Sequence, residues 1–270
     1  MDDIRLLAPV SVIVPCYRCL PTIKRALESV FNQTWRPAEV VLVEDFSEDG
    51  TLDALYELQK SYPTGWIRII PLSKNQGPSI ARNTGWDSST QDFIAFLDSD
   101  DSWHNKKIEV QLGFMLENSE VFLTGSIGSL ADRFNPDSPL SDSFKFKKIT
   151  KYNLLFSNRF LTPSVIVRRE ITLRFNAFKR HSEDYLLWLE VLFKYQQCYL
   201  YGGVLTFIHK DHYGVSGLSQ DIHIMEQGEL ENYDILYRDS RISKIEHFIF
   251  KSISYVKYIR RIFLVKKAKI

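Results

Sequence analysis

Three carboxylates crowd four positions in Asp98-Ser99-Asp100-Asp101, directly after the apolar run Phe93-Ile94-Ala95-Phe96-Leu97. Ionised acids side by side at the mouth of a strand repel one another and are costly to desolvate. A divalent cation removes that conflict, and an all-oxygen ligand set suits magnesium or manganese better than zinc. The plainer alternative is that Asp101 or Ser102 caps a following helix, which leaves Asp98 and Asp100 without a task. A second acidic pair, Glu183-Asp184, stands where a helix is expected to begin near Ser182. The helix dipole favours a carboxylate there, so Ser182 or Asp184 suits a cap. The same pair also suits a general base that takes a proton from an incoming hydroxyl. No Gly-x-Gly-x-x-Gly follows the first strand and no Walker loop is present, so phosphates must be met by a cation and scattered basic residues. A metal on Asp98, Asp100 and Asp101 would carry the charge that develops on a departing nucleoside diphosphate.

The elements that must position these groups alternate regularly. Apolar strands are expected at Val10–Val14, Val40–Val43, Ile67–Ile70 and Phe93–Leu97, with helices at Pro21–Phe31, after Thr51, and at Gly77–Trp86. Repeated strand–helix units imply an α/β fold with a mostly parallel sheet flanked by helices. Such sheets bind ligands at the carboxyl ends of their strands, where Pro15-Cys16-Tyr17, Glu44-Asp45 and Asp98–Asp101 should converge. Further on, the pattern predicts a helix over Trp103–Glu117 and strands at Val121–Thr124, Pro163–Val167 and 198–209. A helix follows Ser182, and helical patterns return after Ser219. Asp132–Lys148, rich in Ser, Pro, Asp and Lys, is expected to be a mobile loop.

In this order the segments resemble the family 2 glycosyltransferases of the GT-A fold. Ser11-Val12-Ile13-Val14-Pro15-Cys16-Tyr17 resembles their opening strand, and Glu44-Asp45-Phe46-Ser47-Glu48-Asp49-Gly50-Thr51 their Asp-Asp-Gly-Ser-x-Asp-Gly-Thr segment. Asn75-Gln76-Gly77-Pro78-Ser79-Ile80-Ala81-Arg82-Asn83 is similar to their Asn-x-Gly-x-x-x-Ala-Arg-Asn helix. Asp98–Asp101 stands at their metal motif and Ser182–Trp188 at their Glu-Asp base helix. The resemblance implies an inverting transferase using a nucleotide sugar, most often a UDP-sugar, with Mn2+ or Mg2+. By the same resemblance, Pro15, Tyr17, Glu44 and Asp45 line the nucleoside pocket and Arg82 sits near the donor. Asp98, Ser99, Asp100 and Asp101 serve metal, ribose and diphosphate, Asp184 is the base and Glu183 orients the acceptor. Glu44 and Phe46 replace the commoner Asp and Gly; Phe46 is expected to be a packing residue. His209-Lys210-Asp211-His212-Tyr213-Gly214 loosely resembles a Tyr-Arg-x-His-x-Gly stretch, which makes Lys210 and His212 candidates for a diphosphate. Family members close to this motif set include β-1,3-glucosyltransferases that extend N-acetylglucosamine-diphospho-undecaprenol for O-antigen. That implies UDP-glucose as donor and a lipid-diphosphate-linked saccharide as acceptor, with 131–148 as a candidate acceptor lid.

The chain of 270 residues, 44% hydrophobic and 25% charged, has the composition of a globular domain. It divides in expectation into a donor-binding half (1–105), an acceptor and base half (106–218) and a basic helical end (219–270). Although the net charge is +1, eight basic residues and the single acid Glu246 lie between Lys244 and the end. There Ile245, Phe248, Ile249, Ile253, Val256, Ile259 and Phe263 share one helical face, and His247, Lys251, Ser254, Lys257 and Arg261 the other. The helix suits either ordinary packing with a solvated basic face or docking on an anionic membrane, where each basic residue adds about 1 kcal/mol. No nucleic-acid-binding motif is present. No apolar run is long enough to span a bilayer, and Met1-Asp2-Asp3 is acidic where a secretory signal is basic. The expected location is peripheral, at the cytoplasmic face of the inner membrane. Cys16-Tyr17-Arg18-Cys19 has half-site spacing for zinc or redox chemistry, but Cys198 is the only other cysteine. An odd, low count suits a reducing compartment. Two rivals are a nucleotidyltransferase, expected to carry a Gly-rich basic loop after the first strand, which Pro15–Pro21 is not, and a non-catalytic saccharide-binding module, expected to have lost Asp100, Asp101 or Asp184, none of which is lost.

Overall fold

A computed structural model of the chain describes residues 7–130, 135–209 and 221–268, with side chains through Phe263. The first half alternates β1 (Leu7–Cys16), α1 (Ile23–Phe31), β2 (Arg36–Glu44), α2 (Thr51–Gln59), β3 (Ile67–Pro71), α3 (Pro78–Ser88) and β4 (Phe93–Phe96). These four strands are mutually parallel, with β1 central between β2 and β4 and β3 outside β2. Along β1, Val10, Val12 and Val14 face α1, α2 and α4 (Lys107–Glu117), whereas Ile13 faces α3 and α6 (Glu183–Tyr195). Alternation places apolar side chains on both faces, so a sheet covered by helices on both sides follows from the β-branched run.

The remaining strands are β5 (Ser102–Trp103), β6 (Leu123–Leu130), β7 (Phe146–Lys148), β8 (Ile166–Arg168) and β9 (Cys198–Ile208). Among the described residues all nine join one sheet in the order β3-β2-β1-β4-β8-β6-β9-β5, with β7 on β9. β8 is antiparallel to β4 and β6, so direction changes beside the acidic motif.

Several expectations change here. Ser102 and Trp103 do not open a helix; they pair with β9 through Phe207 and Thr206, and α4 starts only at Lys107. Pro163 cannot donate to a ladder, and Thr162–Ser164 form a 3-10 turn before β8. The polar stretch expected to be mobile is tied down where it is described. Asn105 N–H donates to Pro136 O at 2.9 Å, His104 Nε2 lies 2.8 Å from Ser138 O, and Phe146 stacks on Phe114. Residues 131–134 of the candidate lid lie outside the described residues. A further short helix, α5 (Lys151–Phe156), carries a capping box in which Thr150 and Asn153 exchange hydrogen bonds.

Two helices close the chain, α7 (Ile222–Arg238) and α8 (Lys244–Ala268). The basic face of α8 is not solvated. Lys251 pairs with Asp234 at 2.8 Å, Lys257 with Glu229 at 2.9 Å and Arg261 with Glu226 at 2.6 Å, all three acids lying on α7. Glu246 turns to Lys151 on α5 at 2.6 Å. Charge complementarity between the two helices therefore decides which side of α8 faces the protein.

Candidate active site

In-register pairing of Cys16 with Glu44, and of Ile13 with Phe96, brings the ends of β1, β2 and β4 to one edge. The loop after β2 is built by its own acids. Glu44 accepts from Phe46 N–H at 3.1 Å and Ser47 N–H at 2.8 Å. Asp45 accepts from Gln76 N–H at 2.7 Å and Gly77 N–H at 2.8 Å, fixing the entry to α3. Gly77 at φ +85° makes that entry possible without a Cβ clash. Burial pushes the Asp45 carboxyl above its ordinary range although two amides oppose the shift. Phe46 is not a packing residue: it is 39% exposed at φ +56°. The left-handed backbone explains why glycine is usual there. Beside this loop Pro15 is half-buried, and Tyr17 is exposed with the Arg18 guanidinium 5.2 Å from its ring centre. Cys16 and Cys19 are free and buried; their mutual hydrogen bond and burial raise the Cys16 thiol pKa, which favours the thiol over the thiolate that redox or zinc chemistry uses.

After β4 the chain turns sharply, Asp101 N–H donating to Asp98 O at 3.0 Å. One carboxylate oxygen from each of Asp98, Asp100 and Asp101 lies within 4.8 Å of the other two. That spacing and an all-oxygen donor set fit a hard divalent cation. Capping does not account for these acids: α4 begins after Lys106 with no side-chain cap, and Ser102 belongs to β5. Asp101 also accepts from His209 N–H at 3.2 Å, and the His209 imidazole lies 2.7 Å from the Ser102 hydroxyl. Burial, and then Arg25, push that imidazole down to about 4, so it is neutral at physiological pH. Lys210 and His212, the diphosphate candidates of this segment, lie outside the described residues, whereas His209 reaches the acidic motif.

Arg82 joins this motif to the second acidic pair. Its guanidinium is buried, 2.8 Å from Asp98 Oδ1, 3.3 Å from Glu183 Oε1 and 5.3 Å from the centre of the Phe175 ring. Burial disfavours the cation, but the charges of Asp98 and Glu183 outweigh it and hold Arg82 ionised. Glu183 opens α6 from Ser182, whose φ is +55° and whose hydroxyl donates to Met225 O rather than capping the helix. Burial, followed by the charge of Asp184, lifts the Glu183 carboxyl to about 7. Burial also raises Asp184, against hydrogen bonds from Tyr185 N–H at 2.7 Å and the Thr162 hydroxyl at 3.1 Å. Thr162 is a site residue that no local pattern marked, and His209 stands in a stretch marked for its neighbours; long-range contacts bring both in.

Two outcomes follow. Arg82→Ala removes the buried cation between half-buried Asp98 and buried Glu183 and is expected to lower stability by about 3 kcal/mol, read as a drop in the thermal midpoint. Glu183→Gln works the other way. The unfolded carboxyl titrates near its ordinary 4.5 and the folded one at about 7. Ionised Glu183 therefore costs native stability above the folded value, and the cost disappears below the unfolded one. The variant should gain about 1–3 kcal/mol around pH 8 and nothing below about pH 4, measured by urea titration.

The strand ends carry Pro15, Glu44 and the Asp98–Asp101 turn to one edge of the sheet, and Arg82 ties Asp98 to Glu183 at the start of α6. Among solved structures, S. aureus TarS 1-349 in complex with UDP-GlcNAc matches 94% of this chain and 72% of its own at TM-score 0.68 and 20% identity. The mannosyltransferase PcManGT from Pyrobaculum calidifontis, in complex with GDP-Man and Mn2+, matches 93% and 69% at TM-score 0.69 and 17% identity. The fold is GT-A. In sequence the chain is 34% identical over 184 residues to the Escherichia coli UDP-Glc:alpha-D-GlcNAc-diphosphoundecaprenol beta-1,3-glucosyltransferase WfgD, spanning 68% of this chain and 69% of that one. Residues 11–182, a span that holds Asp98–Asp101 and ends directly before Glu183, match the profile described as Glycosyl transferase family 2, and the chain belongs to that family.

Proposed function

We propose that the chain transfers glucose from UDP-glucose, with inversion, to the 3-hydroxyl of N-acetylglucosamine carried on diphospho-undecaprenol, in assembly of a surface polysaccharide such as O-antigen. The observation that carries the reading is the Asp98–Arg82–Glu183 chain of contacts, which sets the cation motif beside the acidic pair. The choice of sugar and acceptor leans on the printed activity of WfgD.

In this reading residues 1–105 hold the donor and 106–218 supply the acceptor side and the base. Pro15, Tyr17 and the loop shaped by Glu44 and Asp45 flank the nucleoside, with Asp98 and Ser99 toward the ribose. Asp98, Asp100 and Asp101 would hold Mn2+ or Mg2+, whose charge neutralises the diphosphate as it leaves. Asp184 takes the proton of the acceptor hydroxyl while Glu183, held by Arg82, orients the sugar. The hydroxyl oxygen bonds to the anomeric carbon on the face opposite the departing UDP, so an α-linked donor gives a β-linked product in one displacement. Carboxylates raised by burial are suited to accept a proton that a fully solvated Asp holds poorly.

The test is UDP release from a panel of UDP-sugars with manganese and a synthetic N-acetylglucosamine-diphospho-lipid. UDP-glucose is expected to be turned over fastest. Release from another sugar alone would replace the donor; release of pyrophosphate, or of nothing across several acceptors, would remove the proposal.

A further inference from the structure

Pairing of α8 with α7 leaves the apolar side of α8 facing outward. Ile245 is 72% exposed, Phe248 73%, Val256 66% and Phe263 67%, with Ile249 and Ile259 between them on the same face. Their spacing of three and four residues is that of one helical stripe, and Tyr255 lies along it. A stripe of aromatic and β-branched side chains of this length on a surface marks a docking face.

The flanking charge identifies the occupant. Between Ile245 and Phe263 the only acid is Glu246, which turns inward to Lys151. Lys244 and Arg260 are exposed, and Lys266, Lys267 and Lys269 follow in the sequence. A second copy of the helix, in either orientation, would bring basic residues against basic residues. An anionic bilayer takes the apolar stripe into its headgroup boundary and meets the flanking cations with lipid charge.

The fold also connects this face to the candidate base. On its other side α7 abuts the entry to α6: Asn232 Nδ2 donates to Ser182 O at 3.0 Å, and Lys179 Nζ donates to Gly228 O at 2.9 Å. A Cβ on Gly228 would lie 2.7 Å from His181 O, so only glycine permits this approach. We infer that α8 lies in the plane of an anionic membrane with its Ile245–Phe263 stripe inserted, which fixes the Glu183–Asp184 end of the protein near the lipid surface. The ion pairs to α7 act as the clamp that turns this stripe outward.

The inference rests on the reading of the acceptor as lipid-linked, and the test keeps the two apart because it needs no turnover. The full chain is floated with vesicles of phosphatidylethanolamine and phosphatidylglycerol, and separately with neutral phosphatidylcholine vesicles. Binding is expected to the anionic vesicles and to weaken with salt. Phe248→Glu/Val256→Glu should reduce partitioning at least about tenfold. Both side chains are exposed, so the melting curve should be unchanged, and UDP release with a water-soluble acceptor should also be retained. Equal flotation of the double variant and the wild type would overturn the inference, as would absence of binding to anionic vesicles. Self-association in sedimentation that the double variant abolishes, without flotation, would assign the stripe to a second copy and overturn it too.

Discussion

Asp184→Asn is expected to bind a UDP-sugar about as well as the wild type and to lose on the order of 10²–10⁴-fold in turnover. Asn keeps the shape of the side chain and its acceptor oxygen can still take the Thr162 hydroxyl or the Tyr185 N–H, so the start of α6 should stay in place. What disappears is the ability to accept a proton. The binding residues proposed for the donor lie at or just beyond the carboxyl ends of β1, β2 and β4, and Arg82 stands between Asp98 there and Glu183 on this helix, which is why affinity and turnover should separate. Titration calorimetry with UDP-glucose and single-turnover measurements read the two quantities independently. Loss of donor affinity equal to the loss of turnover would mean that Asp184 holds the donor instead.

Asp100→Ala should remove divalent-cation-dependent turnover, with a loss of at least about 10²-fold that excess manganese does not restore. Three carboxylate oxygens within 4.8 Å are stable together when a cation shares their charge, and withdrawing one ligand weakens both binding and diphosphate neutralisation. Asp101→Ala should lose as much activity but for two reasons, since Asp101 also receives the His209 N–H. The Asp100 variant is therefore the cleaner one. Wild-type rates in Asp100→Ala, or full activity of the wild type in chelator, would place catalysis outside the acidic cluster.

The parallel half of the sheet and both acidic motifs were legible because their signals are local. A β-branched run stopped by Pro15, an apolar run ending in Asp98, and Gly77 before a helix with Pro78 at its start each carry their own physical reason. Phe46 was misjudged because an aromatic ordinarily packs, whereas here a left-handed turn set by Glu44 decides the position. Apolar periodicity runs from Trp103 into the helix that follows, but pairing of Ser102 and Trp103 with the distant β9 overrides it. The same distance hides Thr162, and it hides that His209 itself reaches the acidic motif. The orientation of α8 was likewise invisible, since either face of an amphipathic helix can pack, and the carboxylates of α7 choose the basic one.

Determining the anomeric configuration of the product tests the central claim most directly. With UDP-glucose, manganese and the synthetic acceptor lipid, proton NMR of the isolated product should show the wide anomeric coupling of a β-glucoside. An α-glucoside, with its narrow coupling, would mean net retention, which a single displacement assisted by Asp184 cannot give.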